Sequence, residues 1–219
     1  NILGLMYEEG DGVDQNDIKS AYWYLQSAEQ GISDAQYNLG VVYEDGKGLP
    51  QDNEKAIYWY ELAAEQGDQD AQYRLGILYE NTEKNNEQAA YWYEKAAEQG
   101  HAEAQFFLAR MYEHGIGVHN NYIKSAYWYQ LSAEQGDADS QYKLGILYES
   151  GQGLAKDYET AAYWYEQSAK QGNSKAQFRL AQMYEIGKFF QEDIDEAAYW
   201  YKQAAEQGNI QSQFELGYL

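Results

Sequence analysis

The chain has no cysteine and a single proline among 219 residues, and only 15 Lys and Arg stand against 36 Asp and Glu. Without cysteine there is no disulfide, no thiolate metal ligand and no thiol nucleophile, and the redox compartment is left open. One proline argues against a linker-rich or disordered chain. The net charge of −21 makes nucleic acid and anionic membrane poor partners, because both demand clustered cations to displace counterions, and neither nucleic-acid binding nor membrane insertion is expected. A cationic or mixed-charge partner is expected instead. No apolar run approaches the roughly 18 residues of a membrane span, and no basic stretch precedes an apolar one near the first residues. Compartment is left open between cytoplasmic and periplasmic or secreted. What is plentiful is aromatic: 24 Tyr, 6 Trp and 6 Phe, in a chain that is 44% hydrophobic.

Those aromatics are periodic. Tryptophan falls at 23, 59, 92, 128, 164 and 200, at intervals of 36, 33, 36, 36 and 36. A glycine follows each by eight residues, from Gly31 to Gly208. A fixed period of this size marks stacked helical units that cannot bury their apolar faces alone. One solenoid is expected over 1–219, with a partial copy at 1–31, complete copies at 32–67, 68–100, 101–136, 137–172 and 173–208, and a partial copy at 209–219. Both ends cut through a unit, which reads as part of a longer protein.

Each copy punctuates itself as two helices. Asn16, Asp52, Asn85, Asn121, Asp157 and Asp193 sit seven residues before each Trp and suit an N-cap, since their side chains accept from the first free backbone N–H groups. The helix they open, helix B, runs about 14 residues to a glycine able to take the left-handed closing turn. Helix A follows at once, with the acids Asp34, Asp70, Glu103 and Asp139 in its first turn, where the helix dipole favours them. Gly-x-Gly turns such as Gly46/Gly48 lead into the next helix B.

The recurring order Ala-x-x-x-Leu-Gly-x-x-Tyr, Gly-x-Gly, Asp, Ala-x-x-Trp-Tyr-x-x-Ala-Ala-x-x-Gly, as from Ala35 to Gly67, resembles the Sel-1-like repeats of the tetratricopeptide-like class. It covers essentially the whole chain. The resemblance implies an all-α, right-handed α/α superhelical solenoid, found in bacteria and eukaryotes, that holds protein partners in a groove lined by the A helices and has no chemistry or cofactor of its own.

Helical periodicity assigns faces. Successive residues turn about 100°, so the three adjacent aromatics of "YWY" cannot share one core. Tyr24, Tyr60, Tyr93, Tyr129, Tyr165 and Tyr201, each following a Trp, fall in the middle of the apolar face of helix B and are expected in the core. The tryptophans fall on the flank that a neighbouring copy covers. Tyr22, Tyr58, Tyr91, Tyr127, Tyr163 and Tyr199 point outward, either leaning on the next copy or offering a contact surface to a protein or to sugar rings.

On helix A the residues expected to face away from the core are the candidate partner site. They comprise the aromatics Tyr37, Tyr73, Phe106, Tyr142 and Phe178, then Asn38, Arg74, Phe107, Lys143 and Arg179 just before the leucine, and Arg110 and Gln182 two after it. The chain's three arginines all fall there. Arginine and aromatics are the usual anchors of protein interfaces, so a peptide or partner protein presenting carboxylates is expected. The alternative is an ion pair with the Glu following a helix A tyrosine, such as Glu80 or Glu185.

Catalysis finds no support: there is no Gly-x-Ser-x-Gly or Walker loop, and the Gly-x-Gly turns follow no Rossmann strand. His101, His114 and His119 match no standard metal spacing and read as solvated. In the last copy Phe190 takes an apolar slot and is expected buried, while Phe189 is expected exposed. A glycan-binding module using the outward tyrosines is the rival reading, with a hydrolase behind it.

Overall fold

The computed structural model describes residues 1–82, 84–187 and 190–219. Phe189 lies outside them. The described residues form α helices in helix-turn-helix copies, with no strand among them. The protein is an all-α solenoid. Two compact units are resolved, Asn1–Ala104 with Ile116–Val118, and Gln105–Gly115 with His119–Leu219.

Unit 1 contains α1 (Ile2–Glu9), α2 (Asp17–Ala28), α3 (Ser33–Asp45), α4 (Asn53–Glu65), α5 (Gln69–Asn81) and α6 (Asn86–Glu98). Helix α7 (Ala102–His114) begins in unit 1 and continues in unit 2. Unit 2 adds α8 (Tyr122–Glu134), α9 (Ala138–Ser150), α10 (Tyr158–Lys170), α11 (Ser174–Glu185), α12 (Ile194–Glu206) and α13 (Ile210–Leu216). Odd numbers are A helices and even numbers B helices.

Caps set the boundaries. Asn16, Asp52, Asn85, Asn121, Asp157 and Asp193 each accept the backbone N–H three residues on, so every B helix starts where its cap residue stands. The B helices run 12 or 13 residues, slightly shorter than expected, because Glu or Gln before the glycine already leaves the helical ladder. Gly67 then closes α4 at φ 95°, in the left-handed region that a β-carbon would disfavour. Four A helices carry side-chain caps as well, from Asp68, Asp137, Asn173 and Asn209. In the turns, Gly48 has no room for a side chain, since a β-carbon there would meet the Asp17 carbonyl oxygen at 2.2 Å.

The core tyrosines behave as the periodicity requires: all six are fully buried. Four of the rings, those of Tyr24, Tyr60, Tyr93 and Tyr165, lie against a glycine of the helix A before them. In α3 a β-carbon at Gly40 would come within 2.6 Å of the Tyr60 ring, which explains a mid-helix glycine despite its cost of about 1 kcal/mol relative to alanine. Tryptophans cover the preceding copy, Trp59 packing on the Tyr24–Leu39 cluster and Trp92 on the Tyr60–Leu75 cluster.

A glutamine seam joins successive helices. Buried Gln36 donates from Nε2 to the Ala28 carbonyl at 3.2 Å and accepts at Oε1 from Gln66 at 2.6 Å. The same arrangement recurs at Gln72 with Ala64 and Gln99, at Gln141 with Ala133 and Gln171, and at Gln177 with Ala169 and Gln207. A buried amide satisfied on both sides is stabilising, whereas one left unpaired costs about 1–3 kcal/mol.

Candidate functional site

The helix A positions are held by what lies beneath them. Every core tyrosine donates its hydroxyl to a glutamate near the end of the preceding A helix: Tyr60 to Glu44 at 2.6 Å, Tyr129 to Glu113 at 2.7 Å, Tyr165 to Glu149 at 2.8 Å and Tyr201 to Glu185 at 2.6 Å, with Tyr24 to Glu8 and Tyr93 to Glu80 completing the set. Burial is the largest cause pushing the phenols of Tyr60, Tyr129 and Tyr165 well above the ordinary tyrosine value, and the adjacent glutamate adds to it. They stay protonated donors throughout the physiological range.

These glutamates meet the expected cations from the other side. In unit 1 Arg74 Nη1 lies 3.7 Å from Glu44 Oε1, and the arginine side chain remains 40% exposed. In unit 2 Lys143 Nζ lies 3.0 Å from both oxygens of Glu113. In each case the acid follows the helix A tyrosine of the preceding copy, so the ion-pair alternative describes these two cations. The spacing explains it: the cation stands 30 residues after its glutamate and is brought over it by the stacking. Asn38, at the same place in α3, donates to the Asn1 side chain at 3.3 Å. Arg110 lies half-buried with its guanidinium 4.7 Å over the Phe107 ring.

Arg179 is different. It makes no ion pair among the described residues, and its Nη1 donates to Gln182 Oε1 at 3.3 Å. One turn earlier on α11, exposed Lys175 is likewise in no ion pair. Both face a cavity of about 600 Å³ in unit 2, walled by α11 and α13 with Tyr142 of α9 at its edge. Four expected residues converge there: Tyr142, Phe178, Arg179 and Gln182. Phe214 and Glu215 of α13 form the opposite wall. A second cavity, about 680 Å³, lies in unit 1 among Gly46, Gly48, Leu49, Pro50 and the start of α2, and contains none of the expected residues.

The helix A aromatics are less free than the periodicity suggested. Tyr37, Tyr73, Phe106, Tyr142 and Phe178 are half-buried, with ring centroids 5.7–6.0 Å from core tyrosines of the following B helices. A ring two residues before the leucine is long enough to lean over the glycine or alanine beyond it and reach the core. One edge of each ring is therefore committed to packing.

Outward tyrosines stand as expected. Tyr22, Tyr58, Tyr91, Tyr127, Tyr163 and Tyr199 are between 47% and 56% exposed. Each meets its own tryptophan edge to face at 4.9–5.2 Å, which fixes the ring's direction.

His101 departs from the solvated reading. Its side chain is only 11% exposed, with Asp70 at 3.4 Å and Glu103 at 3.3 Å. The ring stacks 4.4 Å from Tyr73, and Nδ1 accepts the Ala104 N–H at 3.3 Å. The histidine stands where other copies carry a capping Asp or Asn, so the cap position draws it in. Among the described residues no group of three His, Asp or Glu is placed to hold a metal ion. No helix there is long and apolar enough to cross a membrane. Phe190 is half-buried rather than enclosed, stacked at 4.2 Å on Tyr184.

The Sel1 repeat family model matches residues 1–32, 33–68, 69–101, 102–137, 138–173 and 174–209. Among solved structures, c5321, a protective antigen present in uropathogenic Escherichia coli strains and displaying an SLR fold, is 39% identical with a TM-score of 0.95, over 99% of this chain and 47% of that one. A Sel1 repeat protein from Oxalobacter formigenes is 36% identical with a TM-score of 0.75, over 93% and 83% of the two chains. A sel1-like repeat-containing protein of Acanthamoeba polyphaga mimivirus is 56% identical over 39 residues, 18% of this chain and 7% of its own. The chain thus spans about half of the E. coli antigen's length and a small part of the viral protein's.

Proposed function

Since the chain belongs to the Sel1 repeat family, whose repeats serve generally as non-catalytic scaffolds for protein–protein interaction, we propose that it captures an extended segment of a partner protein on its A-helix face. The observation that carries this reading is the unit 2 cavity, where an arginine without an ion pair stands beside Phe178, Tyr142 and Gln182. A partner carboxylate would meet the Arg179 guanidinium, whose planar fork suits two parallel hydrogen bonds. An apolar side chain would cover the free faces of the rings. Gln182 would pair with backbone amides. Arg74, Arg110 and Lys143, with Asn38, Tyr37, Tyr73, Phe106 and Phe107, would extend the contact on the A helices of their own units by exchanging internal partners for those of the bound segment.

Selection of unstructured peptides from a display library against the whole chain tests this. The selected peptides should lose about tenfold or more in affinity for Arg179→Gln, while the melting temperature stays unchanged. Equal affinity for the variant would remove the reading.

A second reading rests on the outward tyrosines, whose exposed rings, set by their tryptophans, offer stacking platforms to sugars. A glycan array on which Tyr58→Ala and the parent chain bind alike would dispose of it.

A further inference from the structure

Resting on the groove reading above, we propose that the unit 2 cavity selects a bipolar segment: one apolar side chain, an acidic residue on one side of it and a basic residue on the other. The two walls carry opposite charge. Lys175 and Arg179 lie four residues apart on α11 and so project from one face of that helix. Glu215 stands on α13 across the cavity. Neither Lys175 nor Arg179 is in an ion pair among the described residues. Between the opposite charges are the apolar surfaces of Phe178 and Phe214.

Net charge narrows the occupant further. A purely acidic segment would be drawn to Lys175 and Arg179 at close range yet repelled by a chain carrying −21, and a purely basic one would find far more numerous acids elsewhere on the surface. A segment neutral overall escapes both penalties and satisfies both walls. Its order of charges is fixed by which wall each end meets, so the cavity reads direction as well as composition. The apolar side chain supplies contact in the middle, where the two phenylalanines exclude water from the charged pairs on either side.

The position of Glu215 gives a second reason for opposed walls. It stands one residue before Leu216, at the place occupied by Arg74, Lys143 and Arg179 in other copies. There a cation would lie 30 residues after a glutamate, here Glu185. Glu185 already accepts the Tyr201 hydroxyl, so the acid at 215 adds negative charge where other copies bring in positive. A basic side chain from the bound segment restores at this step what Arg74 and Lys143 supply internally at theirs.

The test uses the whole chain and five heptapeptides capped at both ends, each with a central phenylalanine, whose flanking residues are acid then base, base then acid, two acids, two bases, or two neutral amides. Fluorescence anisotropy reads the affinities. One of the two bipolar peptides should bind about tenfold more tightly than the neutral one and at least about fivefold more tightly than its reverse. Exchanging the walls with Arg179→Glu and Glu215→Arg together should invert which bipolar peptide is preferred, a result that loss of folding cannot imitate. All five peptides within twofold of one another, or an unchanged preference in the exchanged variant, would overturn the proposal. If the five bind alike but Arg179→Gln still weakens library-selected peptides, the groove reading survives and the bipolar rule alone falls. If none of the five binds and no library peptide depends on Arg179, both fall.

Discussion

Arg74 and Arg179 stand at the same place in two copies, one residue before the buried leucines Leu75 and Leu180, and their side chains settle differently. Beneath both lies the same bond, from Tyr60 to Glu44 at 2.6 Å and from Tyr165 to Glu149 at 2.8 Å. Arg74 completes it with an ion pair at 3.7 Å, while Arg179 turns to Gln182 and lines a cavity. The tyrosine and glutamate are therefore framework, repeated in every copy. The cation is an addition that a copy can use internally or offer outward, and the slot also holds Asn38, Phe107, Lys143 and Glu215.

The shared half should give the largest effects. Tyr60, Tyr129 and Tyr165 have phenols raised above their unfolded value of about 10. Folding thus favours their neutral forms, and that stability is complete below pH 10 and lost as pH rises, because only the unfolded chain releases the protons. One unit above pH 10 each of the three contributes a loss of about 1.4 kcal/mol. Far-UV circular dichroism should show steep alkaline unfolding, and a flat profile to pH 11.5 would separate the bond from stability. Next in size, Glu44→Leu leaves the Tyr60 hydroxyl buried without its acceptor and should cost about 1–3 kcal/mol in denaturant titration. Arg74→Met removes only a partly exposed pair and should cost about 0.2–1 kcal/mol. Smallest of all, Arg179→Met should leave stability within about 0.5 kcal/mol of the parent yet weaken peptide capture about tenfold or more. If it destabilised the chain as much as Glu44→Leu, the two arginines would be equivalent after all.

Much of this framework was legible in the sequence because it repeats. The B-helix caps, the core tyrosines and the outward tyrosines follow from cap chemistry and a 100° turn per residue, with six copies averaging out local accidents. Periodicity within one helix does not reveal how far a neighbouring copy reaches across, which is why Tyr37 and Tyr142 read as free and are half-packed on Tyr60 and Tyr165. The glutamine seam does leave a signal in the sequence: Gln36, Gln72, Gln105, Gln141 and Gln177 recur at one place, and Gln66, Gln99, Gln135, Gln171 and Gln207 at another. A polar side chain kept so regularly beside a core marks an internal bond. Arg74 and Arg179 could not be told apart by position, because what distinguishes them is whether a guanidinium settles on the glutamate 30 residues earlier.

The seam also bears on how such a chain changes length over time. Gln36 meets the helix behind it through a backbone carbonyl and its own helix B through another glutamine, so both halves of the join are generic. Duplicating or excising a whole copy would bring the same two chemical faces together at the new junction and orphan no amide. Growth in units of one period is then nearly neutral to folding, whereas an insertion of a few residues within a helix would break a join on each side of it.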